Sequence, residues 1–185
     1  MAKTSAVTPE QAGAIEKVLR QRSEVAADAW KMNLQLALRI SDLLSVKYTD
    51  IQGKFLRIKE GKTGKPRELV LNIEAMKVVK RRRKNNPEDA YVFQSHSNRV
   101  KSQEPKPVSR VFVAQAIKEA SQGIVEEGIS VATHSARKTR AKALLRSGVP
   151  LATISHMLNH SSIQTTMVYL DIKQDEVNET YQIVI

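Results

Sequence analysis

Apolar residues recur at helical spacing over the first part of the chain. Thr8 precedes Pro9 and stands three residues before Gln11, a capped helix start, and Ile15, Val18 and Leu19 continue one apolar face. Val25, Trp30, Leu34 and Leu38 give the buried side of a second helix, predicted over about Glu24 to Leu38. Ile40, Leu43, Leu44 and Val46 give that of a short third helix after Arg39. The period then shortens to that of strands. Tyr48 to Ile51, Lys54 to Ile58 and Arg67 to Leu71 read as three strands, separated by Gln52-Gly53 and by Gly61-Lys62-Thr63-Gly64-Lys65-Pro66. Together they predict a small antiparallel sheet with an exposed, basic hairpin tip.

Asn72 caps a helix predicted through about Lys84, Tyr91-Val92-Phe93 is a brief apolar segment, and residues 95–107, with Pro105 and Pro107, read as a long loop. Helices resume over about Ser109–Gln122 (closed by Gly123), Ser135–Arg146 (closed by Gly148), Leu151–Leu158 and Ser162–Val168. In the tail, Ile172 to Asn178 suits a short helix, and Tyr181-Gln182-Ile183-Val184-Ile185 is β-prone and too apolar to be left in solvent. The predicted class is α+β: a mainly helical single domain, residues 1–185, with a small antiparallel three-stranded sheet.

Composition narrows the function. A chain of 185 residues, 41% of them apolar, supports a real core and excludes a disordered basic tail. Cysteine is absent, which excludes disulfides, thiolate-bound zinc, iron–sulfur clusters and thiol nucleophiles. No apolar run approaches the roughly 20 residues of a membrane span, and Met1-Ala2-Lys3-Thr4-Ser5 lacks the apolar core of a signal peptide. A cytoplasmic protein without membrane partners is expected. Lys and Arg number 30 against 19 Asp and Glu, a net charge of +11 that suits a polyanion, and nucleic acid is the common one.

The acidic residues do not gather at paired-acid or metal-ligand spacing, which leaves two-metal nuclease and glycosidase chemistry without support. Gly61-Lys62-Thr63 matches the end of a phosphate-binding loop, but Leu56 stands where its first glycine belongs. His156 and His160 have a zinc-compatible spacing, without a third ligand or the glutamate of a metalloprotease. A stronger set is Arg39 at a helix start, Lys62 at the hairpin tip, His134 and Arg137 on one helix face, then His160 and Tyr169. Each alone also suits a structural role: a surface charge, a turn lysine, a helix cap, a core histidine, a packed tyrosine.

Taken in order, these residues resemble the tyrosine recombinase family of phage-type integrases, over essentially the whole chain from about Thr8. Leu38-Arg39-Ile40-Ser41-Asp42-Leu43-Leu44 is similar to its first arginine box, and Lys62-Thr63-Gly64-Lys65 to its hairpin lysine. Thr133-His134-Ser135-Ala136-Arg137 is similar to its His-x-x-Arg box, and Leu158-Asn159-His160, with Thr165 and Tyr169, to its final box. Departures are Leu36-Ala37 in place of the usual Thr-Gly, Asp42 for Glu, Asn159 for Gly, and Ala136 and Lys138 for the commoner Leu and His. The family's additional N-terminal DNA-encircling domain is not expected before residue 8.

The resemblance implies cleavage and rejoining of DNA by transesterification, with Tyr169 forming a 3′-phosphotyrosyl link and a 5′-hydroxyl leaving. Bond energy kept in that link makes a cofactor unnecessary. Arg39 and Arg137 offer planar forks of donors to the charge on the phosphorus oxygens, the task a metal performs elsewhere. Lys62 is the expected acid for the leaving oxygen, His134 an acid/base partner, His160 a phosphate donor, and Asp42 a group that orients a basic neighbour. The expected partners are double-stranded DNA and further protomers, four on two duplexes, with the 170–185 tail packing on a neighbouring protomer or on the chain's own sheet.

Six basic residues fall within eight positions at Lys77, Lys80, Arg81, Arg82, Arg83 and Lys84, suiting either a solvated helix end or DNA-backbone contact. Lys65, Arg67, Lys80, Arg81, Arg82, Arg83, Lys138 and Arg140 are the expected DNA-contacting set. Two other readings share part of this evidence. Residues 148–168 would suit a helix-turn-helix regulator, and a type IB topoisomerase would use the same chemistry without joining two sites.

Overall fold

A computed structural model describes residues 4–97 and 104–172. The described residues group into two compact units, divided between Arg140 and Ala141. Helices α1 (Pro9–Arg22), α2 (Glu24–Leu36) and α3 (Ile40–Leu44) are followed by strands β1 (Ile51–Gln52), β2 (Phe55–Lys59) and β3 (Pro66–Val70). Then come α4 (Ile73–Asn85), α5 (Arg110–Ala120), α6 (Thr133–Arg146), α7 (Leu151–Met157) and α8 (Ile163–Leu170). The boundary between the units falls within α6. The predicted class, mainly helical with a three-stranded antiparallel sheet, is the observed one; the tail segments beyond Ile172 lie outside the described residues.

Local chemistry accounts for most element starts. The Thr8 hydroxyl accepts from the Gln11 N–H, and the Gln11 side chain accepts from the Thr8 N–H, which closes a capping box on α1. Asn72 caps α4 by accepting from the Ala75 N–H at 2.9 Å, Ser109 caps α5 and Ser162 caps α8. α6 starts two residues earlier than expected because the Ser135 hydroxyl accepts from the Ala132 N–H at 3.1 Å. The first expected strand shrinks to Ile51–Gln52, since Tyr48–Asp50 forms a 3₁₀ turn in which Asp50 accepts from the Lys47 N–H at 2.8 Å.

In the first unit α1 packs on α2 and α5, and α2 packs on α4. The core holds Ile15, Leu19, Trp30, Met32, Leu43, Leu56, Phe93 and Ile117, each 2% exposed or less. Trp30 satisfies its indole N–H on the Ala12 carbonyl at 3.1 Å, which ties α2 to α1. β2 is the central strand, paired Ile51 to Leu56 on one side and Leu56 to Leu69 on the other. Alternation along it turns Leu56 inward and Arg57 and Lys59 outward. The second unit packs α7 on α8, with Ile154, Leu158, Thr166 and Leu170 buried.

Candidate active site

Arg39 occupies the position just before α3, where extended backbone (φ −63°, ψ 140°) directs it away from the helix. Its Nη1 donates to Glu60 Oε2 at 2.7 Å, and Asp42 Oδ2 lies 4.0 Å from the same nitrogen. Glu60 is 1% exposed and Asp42 4%. A buried carboxylate is expensive unless it is paired, and Glu60 is paired twice, because Arg67 Nη1 donates to its Oε1 at 2.8 Å. The Arg39 guanidinium is therefore held in one orientation before any ligand arrives.

The first turn of α6 supplies His134 and Arg137. Ser135, Ala136, Arg137 and Lys138 are all 2% exposed or less. Successive residues of a helix point about 100° apart, so four in a row bury most of this turn and leave exposed His134 as its opening to solvent. Arg137 Nη1 donates to the carbonyl of Ala37, and Ala37 itself sits in the left-handed region (φ 50°, ψ 37°). That conformation, which an L side chain adopts at a cost, ends α2 before the expected Leu38. It also sets the backbone just ahead of Arg39. His134 reaches solvent at its edge, while partial burial, then Arg137, Arg39 and Arg110 nearby, hold its pKa below the ordinary imidazole value. A ring so placed is neutral near pH 7.

Lys62 is exposed at the hairpin tip between β2 and β3. The base of that tip is pegged. The Gly61 N–H donates to Asp42 Oδ1 at 3.0 Å, the Gly64 N–H to the Glu60 carbonyl at 2.8 Å, and the Glu60 N–H to the Lys65 carbonyl at 3.1 Å. Gly64 takes φ 66°, which this turn needs and glycine tolerates.

In the second unit, His160 and Tyr169 meet edge to face, with ring centroids 5.2 Å apart and planes at 79°. His160 Nδ1 shares a 2.9 Å hydrogen bond with the hydroxyl of buried Thr166, so the ring is oriented from α8, the helix that also carries Tyr169. Asn159 adopts φ 48°, the left-handed turn that delivers His160, and asparagine tolerates that region better than other non-glycine residues. The structure thus brings Arg39, Arg137 and His134 together in one unit, with the Lys62 hairpin pegged to the same carboxylates. It brings His160 and Tyr169 together in the other. His156 is exposed, and among the described residues no three His, Asp or Glu side chains gather as a ligand set.

Several expected DNA contacts are committed elsewhere. Lys138 is 2% exposed and donates to the Thr4 carbonyl at 3.2 Å, so it ties α6 to the N-terminal segment rather than facing a phosphate. Arg82 is 7% exposed, with Nε on the Val92 carbonyl at 2.9 Å. Arg81 pairs with Asp28, an α2 carboxylate 1% exposed that Arg20 also holds at 3.0 Å. Arg83 stacks on Tyr48 with its guanidinium 3.5 Å from the ring centroid, and donates to the Asp89 carbonyl at 3.1 Å. Arg67 serves Glu60. Lys65 and Lys80 are exposed, and Arg140 is half-buried.

Glu60 went unmarked in the sequence reading, though a signal was present. Leu56, Ile58 and Glu60 stand at alternate positions, which puts the one acid of a basic stretch on the inward side just past the end of β2. Thr166, at hydrogen-bonding distance from His160, carried no such signal.

The first unit thus carries a basic hairpin, two restrained arginines and His134, and the second carries the His160–Tyr169 ring pair. The chain belongs to the phage integrase family, whose model matches residues 6–176. It is 32% identical over 148 residues to a probable integrase/recombinase, YoeC, of Bacillus subtilis, covering 80% of this chain and 77% of that protein. It is 28% identical over 149 residues to the tyrosine recombinase XerA of Pyrococcus furiosus, covering 78% of this chain but 49% of that protein. The chain spans about half the length of several such relatives. Among solved structures, the lambda integrase catalytic core matches with a TM-score of 0.69 at 18% identity, over 84% of this chain and 91% of that one. A XerA recombinase crystal structure matches with a TM-score of 0.72 at 18% identity, over 96% of this chain and 62% of that one. Family and fold agree with the resemblance read from the sequence.

Proposed function

We propose that this chain carries the strand-cleaving and strand-joining centre of a site-specific DNA recombinase. Tyr169 Oη attacks a backbone phosphorus, a 3′-phosphotyrosyl bond forms, and the 5′-oxygen leaves with a proton from Lys62. The reverse attack by another strand's 5′-hydroxyl restores the tyrosine. A phenol is almost fully protonated at neutral pH, and neutral His134 is a group able to accept its proton. Arg39 and Arg137 meet the charge that gathers on the non-bridging oxygens, so the chemistry draws on guanidiniums in place of a metal. His160 adds a donor to the same phosphate.

The observation that supports this best is the pairing of two restrained arginines in a phage integrase family chain. Arg39 is held by buried Glu60 and Arg137 by the Ala37 carbonyl, so their donors need little reorganisation at the moment of reaction. Relatives point to partners: a lambda integrase tetramer bound to a Holliday junction matches with a TM-score of 0.74 at 19% identity, over 91% of this chain and 48% of that one. We extend this to DNA duplexes and further copies of this chain as partners. A two-site substrate and a supercoiled plasmid test the proposal. Joined product between two sites supports it; relaxation alone marks a topoisomerase, and binding without any covalent adduct marks a regulator.

A further inference from the structure

We infer that Glu60 is a positioning residue that sets Arg39 and the Lys62 hairpin as one unit; this rests on the recombinase reading above. Glu60 sits where β2 ends and the tip begins, 1% exposed, with both carboxylate oxygens engaged. Oε2 takes Arg39 Nη1 at 2.7 Å and the Thr63 hydroxyl at 3.3 Å, and Oε1 takes Arg67 Nη1 at 2.8 Å. Its main chain closes the tip from both sides, through the Lys65 carbonyl and the Gly64 N–H. One residue therefore touches the charge-stabilising arginine by its side chain and flanks the acid-bearing turn by its backbone.

Asp42 makes a parallel link, three residues beyond Arg39, by accepting from Gly61 N–H at 3.0 Å while lying 4.0 Å from Arg39. A Cβ built on Gly61 would lie 3.3 Å from that Asp42 oxygen, so the tip approaches α3 closely. The two carboxylates bracket the guanidinium, and each also holds the turn that carries Lys62. A carboxylate that merely neutralised Arg39 would have no need of the contacts to Thr63 and the tip backbone. The arrangement instead makes the distance between guanidinium and ammonium a property of Glu60. Both must address one phosphate, the guanidinium at a non-bridging oxygen and the ammonium at the leaving one.

The test is Glu60→Gln, which keeps the shape but offers an amide NH₂ where one guanidinium needs an acceptor. Single-turnover cleavage is measured at saturating DNA on a normal substrate and on one whose leaving 5′-oxygen is sulfur, which departs without an acid. The expected result is a loss of roughly 30- to 100-fold on the oxygen substrate, with DNA affinity within about threefold of the original. The sulfur substrate recovers part of that loss, because only the lysine share of the defect is bypassed, whereas Lys62→Ala is rescued more fully. A cleavage rate within threefold of the original in folded Glu60→Gln overturns the inference and leaves Glu60 structural. Complete rescue by sulfur also overturns it, since Arg39 would then be unaffected. Should Glu60→Gln fail to fold, Glu60→Asp is read in the same way: it keeps the charge, shortens the reach by one methylene, and must still lose at least tenfold. Absence of adduct in the unaltered protein would instead strike the recombinase reading itself.

Discussion

The two units hold their candidate residues differently. Arg39 and Arg137 are held by the interior of the first unit: a carboxylate 1% exposed, a carbonyl presented by a left-handed alanine, and a turn of α6 buried from Ser135 to Lys138. Tyr169 and His160 sit in the second unit on short elements. α8 has eight residues, and Val168, next to the tyrosine, is 71% exposed. His160 takes its orientation from a threonine hydroxyl and a ring contact, among other interactions. Groups that stabilise charge gain from being immobile before the reaction, whereas a nucleophile that attacks phosphorus and is later displaced from it gains from lighter restraint.

In the second unit the expected failure is one of chemistry. Tyr169→Phe removes one oxygen from a half-buried ring, so covalent adduct is lost completely while DNA affinity and melting temperature stay close to the original. Adduct yield on a denaturing gel, with a binding titration beside it, checks this. In the first unit, chemistry and fold fail together. Arg137→Ala should lower cleavage by about 10²- to 10³-fold. It should also destabilise the protein by about 1–3 kcal/mol, since the Ala37 carbonyl loses its donor in the interior. Denaturant unfolding and single-turnover cleavage on the same preparation would show whether the two losses travel together.

Two smaller effects sharpen the picture of the restraint. Ala37→Gly relieves a left-handed alanine and should stabilise the first unit by about 0.5–1 kcal/mol, read as a rise in melting temperature; Ala37→Val should move it the other way. His134, whose pKa is depressed in the fold, binds its proton less readily there than in the unfolded chain. Its contribution to stability is therefore complete above the ordinary imidazole value of 6.5 and is lost as pH falls below that value, through the folded pKa. His134→Gln should flatten that slope in unfolding curves taken across the acidic side of neutrality.

How much of this was legible beforehand depends on how local each cause is. Thr8, Asn72, Ser109 and Ser162 act within three residues of themselves, and the helices they cap follow from the sequence. Ala37 is different: nothing nearby demands a left-handed alanine, and the Arg137 donor it meets is 100 residues away. The basic run on α4 suits either a solvated helix end or DNA-backbone contact until Asp28, 53 residues earlier, draws Arg81 inward, and the Val92 carbonyl takes Arg82. The order of Arg39, Lys62, His134, Arg137, His160 and Tyr169 was readable because reaction chemistry restricts residue type. The carboxylates that position them were less so, because a buried acid announces itself only through strand alternation and its distant partners.

The central claim is that Tyr169 is the nucleophile, and one measurement addresses it most directly. The protein is incubated with a nicked suicide substrate whose leaving strand diffuses away, the covalent complex is digested, and the DNA-linked peptide is sequenced by mass spectrometry. The account predicts a single adduct on the peptide containing Thr165 to Leu170, with the 3′-phosphate on Tyr169. Attachment through Tyr48, Tyr91 or Tyr181, or no covalent complex at all, would contradict it.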